Sequence, residues 1–89
     1  MSGNSGEAQR VDQWLWYARF FKTRTRATEV CRKRRIRVNR AVVTKPTHLL
    51  REGDVLTFPQ ASSIRVVRGL KLGERRGSAP EARTLFEDL

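Results

Sequence analysis

The 89 residues are enough for one small domain and leave little room for a separate catalytic one. Nineteen Lys and Arg against nine Asp and Glu give a formal charge of +10, and thirteen of those cations fall between Arg10 and Arg51, where only Asp12 and Glu29 oppose them. Cations so localised, fifteen of them Arg and four Lys, point to nucleic acid ahead of an anionic membrane surface or an acidic protein.

The lone Cys31 excludes an intramolecular disulfide and, with the lone His48, gives too few ligands for a zinc site. No apolar run approaches the roughly 18 residues of a membrane span, and Met1 to Arg10 lacks the apolar stretch of a secretory signal. A cytoplasmic protein with no cofactor, no metal and no membrane partner is expected.

Residues 1–9 are polar, rich in Gly and Ser and without periodicity, and read as a disordered arm. From Val11 the apolar positions Val11, Trp14, Leu15, Ala18 and Phe21 follow helical spacing, with Asp12 in the first turn where the helix dipole favours a carboxylate. Trp14 belongs to the core; Trp16, Tyr17 and Phe20 fall off that face and either pack beneath other elements or stack on bases, packing being preferred.

Thr23 or Thr25 serves as N-cap for a second helix with Ala27, Val30 and Cys31 inward. After the basic run Arg32 to Arg35, Ile36 and Val38 alternate with Arg35 and Arg37, predicting a strand with one apolar and one cationic face. Asn39-Arg40 marks a turn before Val42 and Val43, Lys45-Pro46 breaks regular structure, and Glu52-Gly53-Asp54 is a second turn leading into a strand over Val55 to Phe58. A further strand is expected over Ile64 to Val67.

Residues 71–77 read as a linker, after which Ser78 to Glu81 has the spacing of a capping box, and Ala82, Leu85, Phe86 and Leu89 fall at helical spacing. The expected fold is α+β, two N-terminal helices packed on a small antiparallel sheet with a C-terminal helix. The expected division is an arm over 1–9, an RNA-binding domain over 10–70, and a linker with the terminal helix over 71–89.

These elements spread cations over a helix, a turn, a second helix and a strand, as the phosphate spacing of folded RNA requires. A helix N-terminus near Thr23 to Thr25 adds backbone N–H donors and a positive dipole to Lys22, Arg24 and Arg26, making that turn the best candidate phosphate clamp. Cys31 reads as a small core residue, and Asp12 and Glu29 as groups that orient neighbouring arginines, with no acid–base role.

The segments Arg10-Val11-Asp12-Gln13-Trp14-Leu15-Trp16, Phe20-Phe21-Lys22-Thr23-Arg24, Ala27-Thr28-Glu29-Val30-Cys31, Ile36-Arg37-Val38-Asn39, Lys45-Pro46-Thr47 and Arg51-Glu52-Gly53-Asp54-Val55 run in an order that resembles the S4 RNA-binding domain over about Arg10 to Phe58. The tail from Arg76 to Leu89 is similar to the C-terminal segment of the ribosome-associated heat-shock protein fifteen family of that superfamily. The resemblance implies the αL fold, no catalytic residues, and a monomeric factor that binds rRNA of the large ribosomal subunit and acts on stalled nascent chain–tRNA complexes, peptidyl-tRNA included.

It assigns Arg10, Lys22, Thr23, Arg24, Arg26, Lys33, Arg35, Arg37 and Lys45 to the RNA face and Asp12, Trp14 and Leu15 to structural positions. Arg32, Arg34, Asn39 and Arg40 join the face from the charge pattern. Arg34 and Arg40 stand near positions where the family pattern has Gly, so either those turns are reshaped or cations there accept backbone strain of about 1 kcal/mol each.

Two other readings compete. A DNA-binding helix-turn-helix module shares the outline of the first two helices, although strands follow where a third helix would stand. The chain could also be the RNA-binding subunit of an rRNA- or tRNA-modifying enzyme, but it has no Gly-rich cofactor loop and no nucleophile–base pair of its own.

Overall fold

The apolar spacing from Val11 produces α1 (Val11–Tyr17), which follows directly on a two-residue strand, β1 (Gln9–Arg10), in a computed structural model that describes residues 7–89. The arm expected over 1–9 therefore falls mostly outside the described residues, and Gln9 is already in a strand. β1 pairs with β4 (Leu49–Leu50), and the Gln9 side chain donates to the Gly73 carbonyl while accepting from the Gly73 N–H. These partners lie 41 and 64 residues away along the chain, and local composition carries no sign of them.

Helix α1 stops at Tyr17, short of the expected Phe21. Arg19 adopts φ 64°, its N–H donates to the Trp16 carbonyl and the Phe20 N–H to the Leu15 carbonyl, the paired bonds of a Schellman stop. The stop turns Phe20 back into the core, where its ring lies 4.8 Å from Phe58 and 4.5 Å from Phe86. Phe20 is thus a packing residue.

Helix α2 (Arg24–Arg32) starts at Thr23, whose hydroxyl accepts from the Arg26 N–H at 3.0 Å, and buries Ala27, Val30 and Cys31 against α1 and the sheet. It ends in the same way as α1. Arg34 takes φ 60°, its N–H reaching the Cys31 carbonyl and the Arg35 N–H the Val30 carbonyl. The left-handed backbone that glycine would supply is kept at Arg34.

The main sheet has strand order β3-β2-β5-β6-β7, antiparallel throughout, from β2 (Arg37–Val38), β3 (Ala41–Val42), β5 (Val55–Gln60), β6 (Ser63–Gly69) and β7 (Phe86–Asp88). Val38, Leu56 and Val67 form one registered row on the face that meets the helices, and all three are buried. Around that row Val11, Trp14, Leu15, Ile36, Val43, Leu50 and Phe58 close the core, with the Trp14 indole N–H donating to the Lys71 carbonyl at 2.9 Å.

The β2–β3 hairpin turns on Asn39 (φ 50°) and Arg40 (φ 76°), the sign pattern of a type I′ turn, whose twist suits a two-residue hairpin. Asn39 fits this backbone and also ties it down: its side-chain amide donates to Asp54, its side-chain oxygen accepts from the Val55 N–H, and its own N–H donates to the Val55 carbonyl. Asn39→Ala should lower stability by about 1–2 kcal/mol in urea unfolding, from lost hydrogen bonds and a left-handed residue without local support. A loss below about 0.5 kcal/mol would mean that the hairpin is held by other contacts.

The C-terminal segment departs from expectation. A helix forms, capped by Ser78, but α3 covers only Ala79–Arg83. Leu85, Phe86 and Leu89 leave it, and Phe86–Asp88 becomes β7 on the free edge of β6, with Gly69 opposite Phe86 and Val67 opposite Asp88. The edge offers unpaired backbone groups, and pairing there also brings Phe86 onto Phe20. The 71–77 linker is docked as well, and Gly73 lies so close to Tyr17 that a Cβ would stand 2.6 Å from the ring.

Candidate nucleic-acid interface

Of the two candidate caps, Thr23 is the one used. Because its oxygen serves the cap as an acceptor, the Thr23 O–H is still able to donate outward. No acid lies in the first turn of α2 itself.

On one flank of this helix start stands fully buried Asp12. Its carboxylate accepts from the Arg10 guanidinium at 2.9 and 3.1 Å and from the Thr28 hydroxyl at 2.9 Å, and lies 3.7 Å from the Arg24 guanidinium. Arg10 and Arg24 remain 44% and 37% exposed, so the anion holds two solvent-facing cations in place from below. The turn carrying Lys45 closes on the same end of α1, since the Pro46 and His48 carbonyls accept from the Asp12 and Val11 N–H groups. Glu29 pairs with Arg26 at 3.7 Å, again beside a cation.

A second group of cations lines one open groove of about 690 Å³ that runs along α2, with Lys22 and Arg26 at the start of the helix and Lys33 and Arg35 at and beyond its carboxyl end. Its far wall is Pro59 to Ala61, at the turn between β5 and β6. These uncharged residues were invisible to a reading based on charge; only the hairpin pairing, some thirty residues downstream of α2, brings them to the site.

The remaining candidates sit farther along the same chain path. Arg32 and Arg34 are exposed at the carboxyl end of α2. Arg37 projects from the sheet face opposite the core, in the row with Val42 and Thr57, and its guanidinium donates to the Arg40 carbonyl at 3.4 Å. Asn39 is exposed, but its amide is engaged by Asp54 and Val55.

Burial above all, then the Asp12 carboxylate, pushes the Cys31 thiol up to about 12 against the opposing pull of Arg10, so it stays protonated at neutral pH and is a poor nucleophile. Among the described residues no grouping of His, Cys, Asp and Glu could hold a metal ion, and no helix is long and apolar enough to cross a membrane. Trp16 is half-buried with the Arg76 guanidinium 5.6 Å from its ring centre, and the Tyr17 hydroxyl accepts from Gln13.

Comparison with known proteins bears on the family and the fold. The S4 domain model matches residues 9–56. A heat shock protein 15 homolog of Aeromonas salmonicida is 37% identical over 79 residues, and heat shock protein 15 of Escherichia coli strain K12 is 35% identical over 79 residues. Each match takes in 89% of this chain and 59% of the relative, so the chain spans about three fifths of the length of these curated relatives. Among solved structures, the trimeric heat shock protein 15 of Vibrio cholerae superposes with a TM-score of 0.87 at 31% identity, over 93% of this chain and 83% of that one.

Proposed function

Because the chain belongs to the S4 domain family, we propose that it is a non-enzymatic RNA-binding protein whose ligand is structured rRNA. The observation that carries this reading is the display of cations along α2: a capped N-terminus with no acid in its own first turn, Arg10 and Arg24 held beside it by buried Asp12, and a groove running from Lys22 and Arg26 at the start of the helix to Lys33 and Arg35 at its end. Arg32, Arg34 and Lys45 are further exposed cations of the proposed interface, Thr23 contributes its O–H, and Asn39 shapes the hairpin that adds Arg40 and, from the sheet side away from the core, Arg37.

The likeness to heat shock protein 15 supports a finer reading: a cytoplasmic, ribosome-associated stress factor that binds the large subunit when it holds a stalled nascent chain with its tRNA. One copy supplies every residue of the face, so the proposed binding unit is the monomer; the Vibrio cholerae relative is a trimer, and the solution mass of this protein tells the two apart. Cosedimentation with free large subunits, with and without peptidyl-tRNA, tests the finer reading. Recovery with small subunits only, or with a modifying enzyme, would refute it.

The RNA reading has its own test. At about 150 mM salt, rRNA should outcompete duplex DNA of equal length, whereas preference for the duplex would favour a helix-turn-helix reader. Arg24→Ala and Arg37→Ala should each weaken RNA binding by about 1–2 kcal/mol with an unchanged circular dichroism spectrum. Full affinity in both variants would move the interface elsewhere.

A further inference from the structure

The groove beside α2 combines two features that a paired helix does not need together. Its floor and wall are apolar: Phe20, Phe21 and Val30 underneath, each no more than 9% exposed, and Pro59 at the side. Its rim carries Lys22, Arg26, Lys33 and Arg35, with no carboxylate in the lining. Paired RNA offers such a surface only phosphates, because its base faces are covered by neighbouring bases. An unpaired nucleotide offers an anionic phosphate and a flat apolar face joined within one residue, matching both features.

We infer that this groove seats a single unpaired nucleotide of the bound RNA, its base over the apolar floor and its phosphates against the rim. The inference rests on the RNA-binding reading and deepens it. The floor is held firmly: Phe20 is braced by Phe58 and Phe86, Phe21 lies 6.1 Å from Phe58, and the Arg65 guanidinium stands 5.3 Å from the centre of the Phe20 ring. Gln60, the one side-chain amide in the lining, donates to the Phe20 carbonyl at 3.0 Å and accepts from Arg65 at 2.6 Å. With that amide engaged, the groove responds to the face of a base more than to its edge, and accepts any of the four.

The test compares a short RNA hairpin carrying one bulged 2-aminopurine with the same stem lacking the bulge, using the full chain. The bulged RNA should bind about tenfold tighter, the scale of one base stacked on an apolar surface, and the 2-aminopurine emission should change on binding. Ala61 lines the groove with φ 53°, a backbone that Asp and Asn adopt readily, so Ala61→Asp and Ala61→Asn should both fold. Ala61→Asp should bring the bulged-to-paired ratio close to one, and Ala61→Asn should keep it. Equal, tight binding of both RNAs by the unaltered protein would overturn the groove inference and leave the RNA reading standing. Failure to bind either would overturn both, and an Ala61→Asp ratio equal to that of the unaltered protein would move the unpaired nucleotide out of this groove.

Discussion

Raising monovalent salt from about 50 to about 200 mM is expected to weaken rRNA binding roughly 10²- to 10⁴-fold. The expectation follows from how the cations are displayed. Six cations line α2, four at its start and two at its carboxyl end, and the hairpin adds Arg37 and Arg40. If about five to eight phosphates are met, each releases condensed counterions, and log K falls against log salt with a slope of about −4 to −7. Asp12 does not cancel this charge: being buried, it fixes the direction of Arg10 and Arg24 while those guanidiniums stay partly exposed. A titration by fluorescence anisotropy over that salt range reads the slope directly. A slope shallower than about −2 would mean that only one or two phosphates are touched, and the extended face would have to be abandoned.

The second large effect concerns the fold. Trp14→Ala should lower stability by about 3–5 kcal/mol. Trp14 is fully buried, packs against Phe20 at 6.0 Å, and its indole N–H holds the Lys71 carbonyl of the docked linker. The substitution therefore opens a cavity and leaves a carbonyl without its donor at once. For a domain of this size, with about 0.05–0.15 kcal/mol per residue in total, such a loss removes a large share of all the stability there is. The urea midpoint should drop by more than about 1 M, followed by circular dichroism so that the remaining Trp16 is not needed as the probe. A midpoint within about 0.3 M of the unaltered protein would show that the centre of the core has been misidentified.

Signals confined to a few neighbouring residues were the ones legible in advance. A threonine cap at Thr23 or Thr25, the inward stripe Ala27, Val30 and Cys31, the alternation of Ile36 and Val38, and the Asn39-Arg40 turn all follow from side chains that act on their own stretch of backbone. The parts that differed depend on distant partners. Arg19 carries no mark of a helix stop, and the stop is favoured because it returns Phe20 to Phe58 and Phe86. Leu85, Phe86 and Leu89 keep helical spacing, yet the open edge of β6 draws Phe86–Asp88 into the sheet. Of the candidate site, the cations were readable from charge. The groove was not, because Pro59, Gln60 and Ala61 acquire meaning only once β5 and β6 fold over beside α2. Asn39 shows the reverse case, a polar turn residue placed on the interface by its position and whose amide is engaged by Asp54 and Val55, tying the hairpin to the start of β5.

The left-handed arginines have a consequence of their own. Arg34 at φ 60° and Arg40 at φ 76° each hold a backbone that glycine would adopt with roughly 1 kcal/mol less strain, and each presents a charge that glycine lacks. If both arginines meet RNA as proposed, heat resistance and grip on the ligand are opposed at both positions. A glycine at either should melt later and, on the proposed reading, hold RNA more weakly, so selecting this domain for thermal endurance alone would erode the proposed surface.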